Sequence, residues 1–300
     1  MNKLTLSAVT AAGMLAVSAA NAEQGHQVAA EFPSGTFLEN LTVLPDDTTV
    51  FTSYFARQLG QLTVDNATEI FANLPAHPVG ILATADGFVV TAHGSPFTEG
   101  PEFTQTQQIL MLNLQGEVTQ TIDVPDALFL NGLEHMETGQ VLIADSIAGT
   151  IWSLDLVSGQ VVSWLQHEML TQNPDLPVFA PGANGIKQDG NRLLVSNSGR
   201  GAIFEIALDD AGEAASEPQL FAQTGAVDDF YVDGGRILFT THGDALQAIE
   251  TDGTISTLIS EGCDGCTSVA KRGEDYLVLT TGGLLEGHTE PARILQIPAN

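Results

Sequence analysis

The sequence predicts an all-β chain folded as a six-bladed β-propeller with a central metal site, and three observations carry that prediction. First, an apolar pair followed by a small, mostly hydroxylated residue occurs six times, at Val50-Phe51-Thr52, Val89-Val90-Thr91, Leu142-Ile143-Ala144, Leu194-Val195-Ser196, Leu238-Phe239-Thr240 and Val278-Leu279-Thr280. Successive copies are separated by roughly 40 to 50 residues, the size of a propeller blade. Second, a turn signal precedes each copy and a further apolar or alternating run follows it, as a meander of antiparallel strands requires. Third, counting back twelve or thirteen positions from the last residue of each copy reaches Glu39, Val79, Asn131, Asn184, Asp228 and Thr267 or Ser268. Oxygen-bearing side chains at equivalent points of successive repeats fall into one ring.

The elements follow in order. Residues 1–22 combine Lys3, an apolar stretch and Ala20-Asn21-Ala22, the pattern of a secretory signal peptide that is removed, leaving residues 23–300 as a single propeller domain. Gln27 to Phe32 precedes the first repeat and is expected to supply the outer strand of the last blade, closing the ring and removing an exposed edge. The turns of the six repeats are Asp46-Asp47, Asp86-Gly87, Thr138-Gly139, Asp189-Gly190, Gly234-Gly235 and Gly273-Glu274. Third strands are expected at Gly149 to Leu156, Ala202 to Ala207, Ala245 to Glu250 and Arg293 to Ile297, and outer strands at Val161 to Leu165 and Ser256 to Ile259. A β-sandwich is the alternative, but it would not keep this period.

Charge narrows the partners. The chain carries 9 basic and 37 acidic residues, a formal net charge of −28, so its surface repels nucleic acid and anionic lipid. Acidic residues are spread along the chain, which suits a solvated surface in a salty medium; an electrostatic trap for cationic ligands is the alternative. No segment after the leader is long enough to span a bilayer. The expected product is a periplasmic or secreted monomer acting on a small molecule, with neither nucleic acid nor membrane as partner. Cys263 and Cys266, in Cys-Asp-Gly-Cys, are the two cysteines and in such a compartment are expected to form a local disulfide.

Hairpin arithmetic places further side chains at the mouth of the channel. Asn131 falls opposite Ser146 and Glu39 opposite Tyr54, so the positions two past each anchor, which include His93, Ser198 and His242, return to the end where the ring lies. Glu39 and Asp228 bring two negative charges, and Asn131 and Asn184 bring neutral carbonyl oxygens. That all-oxygen set suits Ca²⁺ first and Mg²⁺ or Mn²⁺ second, with Zn²⁺ less favoured. No Gly-x-Ser-x-Gly elbow is present to support a serine nucleophile.

Glu39-Asn40-Leu41, Leu130-Asn131-Gly132, Ala183-Asn184-Gly185-Ile186, Val227-Asp228-Asp229 and Cys266-Thr-Ser-Val-Ala270 together resemble the senescence-marker-protein/gluconolactonase family and its paraoxonase and diisopropylfluorophosphatase relatives. The resemblance covers nearly all of residues 23–300. It implies a six-bladed propeller that holds a divalent cation, often calcium, and hydrolyses lactones, esters or phosphotriesters, with Glu39, Asn131, Asn184 and Asp228 matching the metal ligands. Where the paraoxonase-like group places a catalytic histidine, this chain has Val79-Gly80, with His77 two residues out of phase; His93 matches that group's second histidine. In gluconolactonase-like members the aspartate matching Asp228 is itself the favoured base.

The functional expectation is a metal-dependent hydrolase of small lactones or esters, with Asp228 the first choice for general base and His93 and His242 the alternatives. The rival is a non-catalytic periplasmic propeller that binds a sugar, peptide or protein and whose metal is structural.

Overall fold

The computed structural model describes residues 25–176 and 180–299; the predicted leader lies outside the described residues. Strands alternate with tight turns throughout, because the apolar pairs recur at strand period and Gly, Asp and Asn supply the positive φ that the connecting turns require, as at Asp47, Gly139, Gly190 and Gly234. The strands form six sheets of four. Their inner strands are Leu38–Val43, His77–Thr84, Leu130–His135, Ala183–Asp189, Phe230–Asp233 and Cys266–Arg272. Each inner strand lies beside the next around a circle, and the sixth meets the first. We number the blades one to six in that order.

The ring closes as expected. Gln27–Phe32 pairs antiparallel with Ala292–Pro298 and completes the sixth sheet. Between every pair of adjacent blades lies a cluster of buried aliphatic and aromatic side chains, such as Val50, Leu59, Ile81, Val90 and Leu110 between blades one and two. The outer strands are more exposed, Val161–Gln166 for example, so the driving force is burial of sheet faces against neighbouring sheets. Among the described residues no helix is long and apolar enough to cross a membrane.

The hydroxyl of the recurring motif has a structural cause. In blade two Thr91 Oγ1 accepts from Gly80 N at 2.8 Å and donates to the Asn131 carbonyl of blade three at 2.7 Å. The same bridge is made by Thr52 to the Val79 carbonyl, by Ser196 to the Asp228 carbonyl and by Thr240 to the Thr267 carbonyl, at 2.7 to 2.9 Å. At the two joints whose motif position lacks a hydroxyl, Ser146 donates to the Ala183 carbonyl and Thr267 to the Leu38 carbonyl. Every blade is thus latched to the next through a buried inner-strand carbonyl. Thr280 is out of phase with the other anchors: it pairs with Cys266, and Leu279 occupies the equivalent place, because the sixth hairpin is shifted by one residue.

These latches should be measurable. Thr91→Ala leaves Gly80 N and the Asn131 carbonyl without their shared partner in a fully buried position, so a loss of about 2 kcal/mol is expected. A lower urea midpoint at unchanged slope is the readout; an unchanged midpoint would show that the latch contributes nothing.

Candidate functional site

The latches also set the geometry of the channel mouth. Near the start of the inner strands of blades one to four and six, two consecutive residues face one residue of the second strand, and Asp228-Asp229 take the equivalent place in blade five. Such a bulge turns both residues away from the regular ladder. The doubled positions include Glu39-Asn40, Val79-Gly80, Asn131-Gly132, Asn184-Gly185, Asp228-Asp229 and Thr267-Ser268. Two glycines among them are required by close approach: a Cβ at Gly132 would stand 2.5 Å from the Asn184 carbonyl, and one at Gly185 would stand 2.5 Å from Asp229 Oδ1.

Asn131, Asn184 and Asp228 are 3 to 4 % exposed. Ser146 gives its proton to the Ala183 carbonyl at 2.6 Å, so it can only accept from Asn131 Nδ2 at 3.2 Å. Ser198 likewise donates to the Val227 carbonyl at 2.6 Å and accepts from Asn184 Nδ2 at 3.1 Å. Both amide nitrogens are therefore turned to the wall, which leaves the two Oδ1 ends for a cation. Asn184 Nδ2 also donates to Asp228 Oδ1 at 2.6 Å, the second oxygen of which lies 3.2 Å from His242 Nδ1.

Ser198 decides the tautomer of His242. With its own proton committed to Val227, it accepts from His242 Nε2 at 3.1 Å. Nδ1 is then a lone pair facing a carboxylate oxygen, and the contact needs one proton between them. Burial, reinforced by the Glu39 and Asp229 carboxylates, pushes Asp228 well above the usual carboxylate range, and the Asn184 bond offsets part of this. Burial pushes His242 down to about 4. Both shifts favour the neutral forms of the two groups. His242 itself sits at φ +58°, in the left-handed region, a conformation that costs a side-chain-bearing residue about 1 kcal/mol or more and persists where surrounding contacts fix it.

A second polar layer, which sequence reasoning missed, adjoins this one. Asp229 accepts from Lys187 Nζ at 3.1 Å, Asn40 Nδ2 at 3.1 Å and Ser268 Oγ at 2.7 Å, tying blades one, four, five and six together. Burial opposes the Lys187 charge, but Asp229 and Glu134 more than compensate and hold its pKa above the usual lysine value. Burial raises the Glu134 carboxyl, with Lys187 opposing. Burial, with Asp229 adding, pushes Glu39 up to about 8. Four carboxylates thus act on one another around the channel, and Lys187 is the lone ammonium in the network.

That excess of negative charge and the turned amides fit a hard divalent cation held by Glu39, Asn131, Asn184 and Asp228. Among the described residues no three His, Cys, Asp or Glu side chains gather as a metal-binding group. Part of the signal for the second layer was present in the count of twelve or thirteen positions, which also reaches Asn40 and Ser268; Asp229, 11 positions before Thr240, lies just outside it.

The structure separates the two histidines that the sequence placed together. His93 is fully buried among Tyr54, Phe103 and Phe129. Its Nε2 lies 3.3 Å from the Leu130 carbonyl, so that nitrogen carries the proton, and its Nδ1 accepts from Tyr54 Oη at 2.9 Å. Tyr54 Oη in turn accepts from Phe97 N at 3.0 Å. With both nitrogens engaged and burial pushing its pKa down to about 3, His93 offers no lone pair at the mouth in this arrangement, which favours Asp228 and His242 over it as candidates for the base. Cys263 and Cys266 form the expected disulfide, immediately before Thr267.

No family model matches the chain, and no curated protein matches it in sequence. Solved structures do match it in fold. Regucalcin from Agrobacterium tumefaciens, described as a calcium-binding protein, is similar over 91% of this chain and 92% of its own, with TM-score 0.67 and 17% identity. A gluconolactonase from Xanthomonas campestris is similar over 96% of this chain and 94% of its own, with TM-score 0.66 and 14% identity. A catalytically inactive virginiamycin B lyase from Staphylococcus aureus with quinupristin is similar over 87% and 80%, with TM-score 0.57 and 15% identity. At these identities the likeness is one of fold, the six-bladed propeller of the gluconolactonase and regucalcin type.

Proposed function

We propose that the chain is a divalent-cation-dependent hydrolase of small lactones or esters, with Ca²⁺ the preferred ion and Mg²⁺, Mn²⁺ or Zn²⁺ as substitutes, exported to the periplasm or the medium. The observation that supports this reading best is that Glu39, Asn131, Asn184 and Asp228 occupy the same doubled position near the start of their inner strands, with a carboxylate–imidazole pair at Asp228. The likeness in fold to a gluconolactonase and to a calcium-binding regucalcin agrees with it. A bound cation would supply polarisation of the substrate carbonyl and a water of lowered pKa.

The chain's own residues do the rest. Asn131 and Asn184 present neutral oxygens, and Glu39 and Asp228 the charge. Once Asp228 is ionised, His242 Nδ1 and Asp228 Oδ2 form a site where a proton taken from water can be held, and Ser198 keeps the imidazole oriented for it. Asp228 is thus both ligand and base partner, and His242 shares the proton.

The test couples metal to pH. A carboxyl whose folded pKa is raised, as in Glu39, favours the folded state at pH below about 4.5, and that contribution is lost as pH rises through about 8. Below about pH 6.5 His93 and His242, whose pKa values burial lowers, act in the opposite sense, so the melting temperature of the metal-free protein should fall between about pH 6.5 and 8, and the increment added by calcium should grow over that interval. Glu39→Gln should flatten both trends. Chelation should abolish hydrolysis in a lactone and ester panel, and calcium should restore it. Metal binding without any hydrolysis would favour the non-catalytic propeller instead; absence of a calcium-induced increment at pH 8 would remove the metal from the reading.

A further inference from the structure

The ring of oxygen ligands is interrupted once, by Val79 in blade two, and the interruption is continuous with an aromatic wall. Val79 packs with Phe37 and Tyr54, and the partly exposed Phe55, Phe97 and Leu284 pack against the same cluster. Phe97 touches Phe37, Tyr54, Phe55 and Phe129, with ring centroids 5.0 to 6.4 Å apart. Phe97 belongs to the connection between Gly87–His93 and Gln107–Asn113, which forms two short 3₁₀ turns, Phe97–Glu99 and Pro101–Gln105. Because Gly87–His93 ends where the inner strands begin, this connection stands over the mouth. The backbone N–H of Phe97 bonds to Tyr54 Oη, which fixes the connection in place. The loop from blade six adds Leu285, 55% exposed, beside Leu284.

The opposite half of the mouth is polar but already engaged. Asn131 and Asn184 spend their N–H groups on Ser146, Ser198 and Asp228, and both serine hydroxyls donate to carbonyls. His242 Nε2 is committed to Ser198. A polyhydroxylated ring would find few free partners here and would lay its hydroxyls against Phe97 and Leu284, at a desolvation cost. An apolar substituent would instead bury surface on rings already held by the core.

We propose that the aromatic wall is the side-chain subsite of the hydrolase, so that the substrate is a lactone or ester bearing an alkyl or aryl group, and not a sugar lactone. This deepens the function proposed above and rests on it for the reacting group, but the binding of the apolar group can be read separately.

Calcium-loaded protein is assayed with γ-butyrolactone, γ-nonalactone and glucono-δ-lactone. Burial of each methylene is worth up to about fourfold, so kcat/KM should rise from the first to the second by on the order of 10²-fold, with the sugar lactone slowest. Phe97→Ala and Phe55→Ser should each lower the ratio of nonalactone to butyrolactone rates by about tenfold. In parallel, calorimetric binding of the pentyl-substituted γ-lactam, which carries the same chain without a labile ester, should be tighter than that of the unsubstituted lactam in the wild type. Lactone hydrolysis with a flat chain-length profile, or a preference for glucono-δ-lactone, overturns the subsite. Equal lactam affinities overturn it whether or not any lactone is hydrolysed, whereas tighter binding of the alkyl lactam without hydrolysis upholds the subsite and rejects the hydrolase.

Discussion

Asp228→Ala is expected to lower calcium affinity by about 10²-fold or more and to take turnover down with it. The expectation is this large because the proposed function gives one side chain the role of charged ligand, while the same side chain faces His242 Nδ1 and accepts from Asn184 Nδ2. Changes one shell further out from a metal commonly cost ten- to a hundredfold, so removal of a charged ligand should reach at least the upper end of that range. Asn131→Ala removes a neutral oxygen alone and should be milder, by about tenfold. Stability supplies an independent readout. In the metal-free protein burial, Glu39 and Asp229 all disfavour ionisation of Asp228, so at alkaline pH without calcium the alanine variant, which has no charge to place there, should melt no lower than the wild type. Calorimetry at matched pH checks both halves; normal calcium affinity in Asp228→Ala would take this residue out of the site.

His242→Gln and His93→Gln should diverge. At position 242 the loss is one of proton transfer: calcium should still bind, and turnover should fall by on the order of 10²- to 10⁴-fold. At position 93 the ring fills a closed space and joins Tyr54 to the Leu130 carbonyl. Its replacement should cost stability, about 1 to 3 kcal/mol, with the turnover of the folded fraction changed far less. Turnover per folded, calcium-loaded molecule separates the two. A folded His93→Gln protein as impaired as His242→Gln would overturn the division.

That division was not legible in the sequence, and the reason is instructive. Register arithmetic brought His93 and His242 to the same end of the channel, which is correct for the backbone, but side-chain direction depends on what packs around it. The Phe-rich connection above blade two supplies Phe103, which together with Tyr54 and Phe129 encloses His93; blade five has no such insertion, and His242 turns to Asp228. The blades themselves were legible because Thr52, Thr91, Ser196 and Thr240 answer a local hydrogen-bond demand that recurs from joint to joint. Lys187 and Glu134 were not, since an isolated Lys or Glu on a strand gives no sign that it will meet Asp229 or its neighbours across a channel.

The pairing of Gln27–Phe32 with Ala292–Pro298 has a bearing on how the molecule is made. Glu31 and Arg293, an ion pair across that seam, are 262 positions apart in the chain. A chain emerging from its N-terminus first therefore presents a strand whose partner is the last to appear, and five blades can stack before the sixth is complete. Contacts of such long range make for slow assembly and leave an unpaired edge during the wait. The seam is then the step at which a nascent ring either joins itself or joins a neighbour, and dilution during refolding should favour closure within one chain.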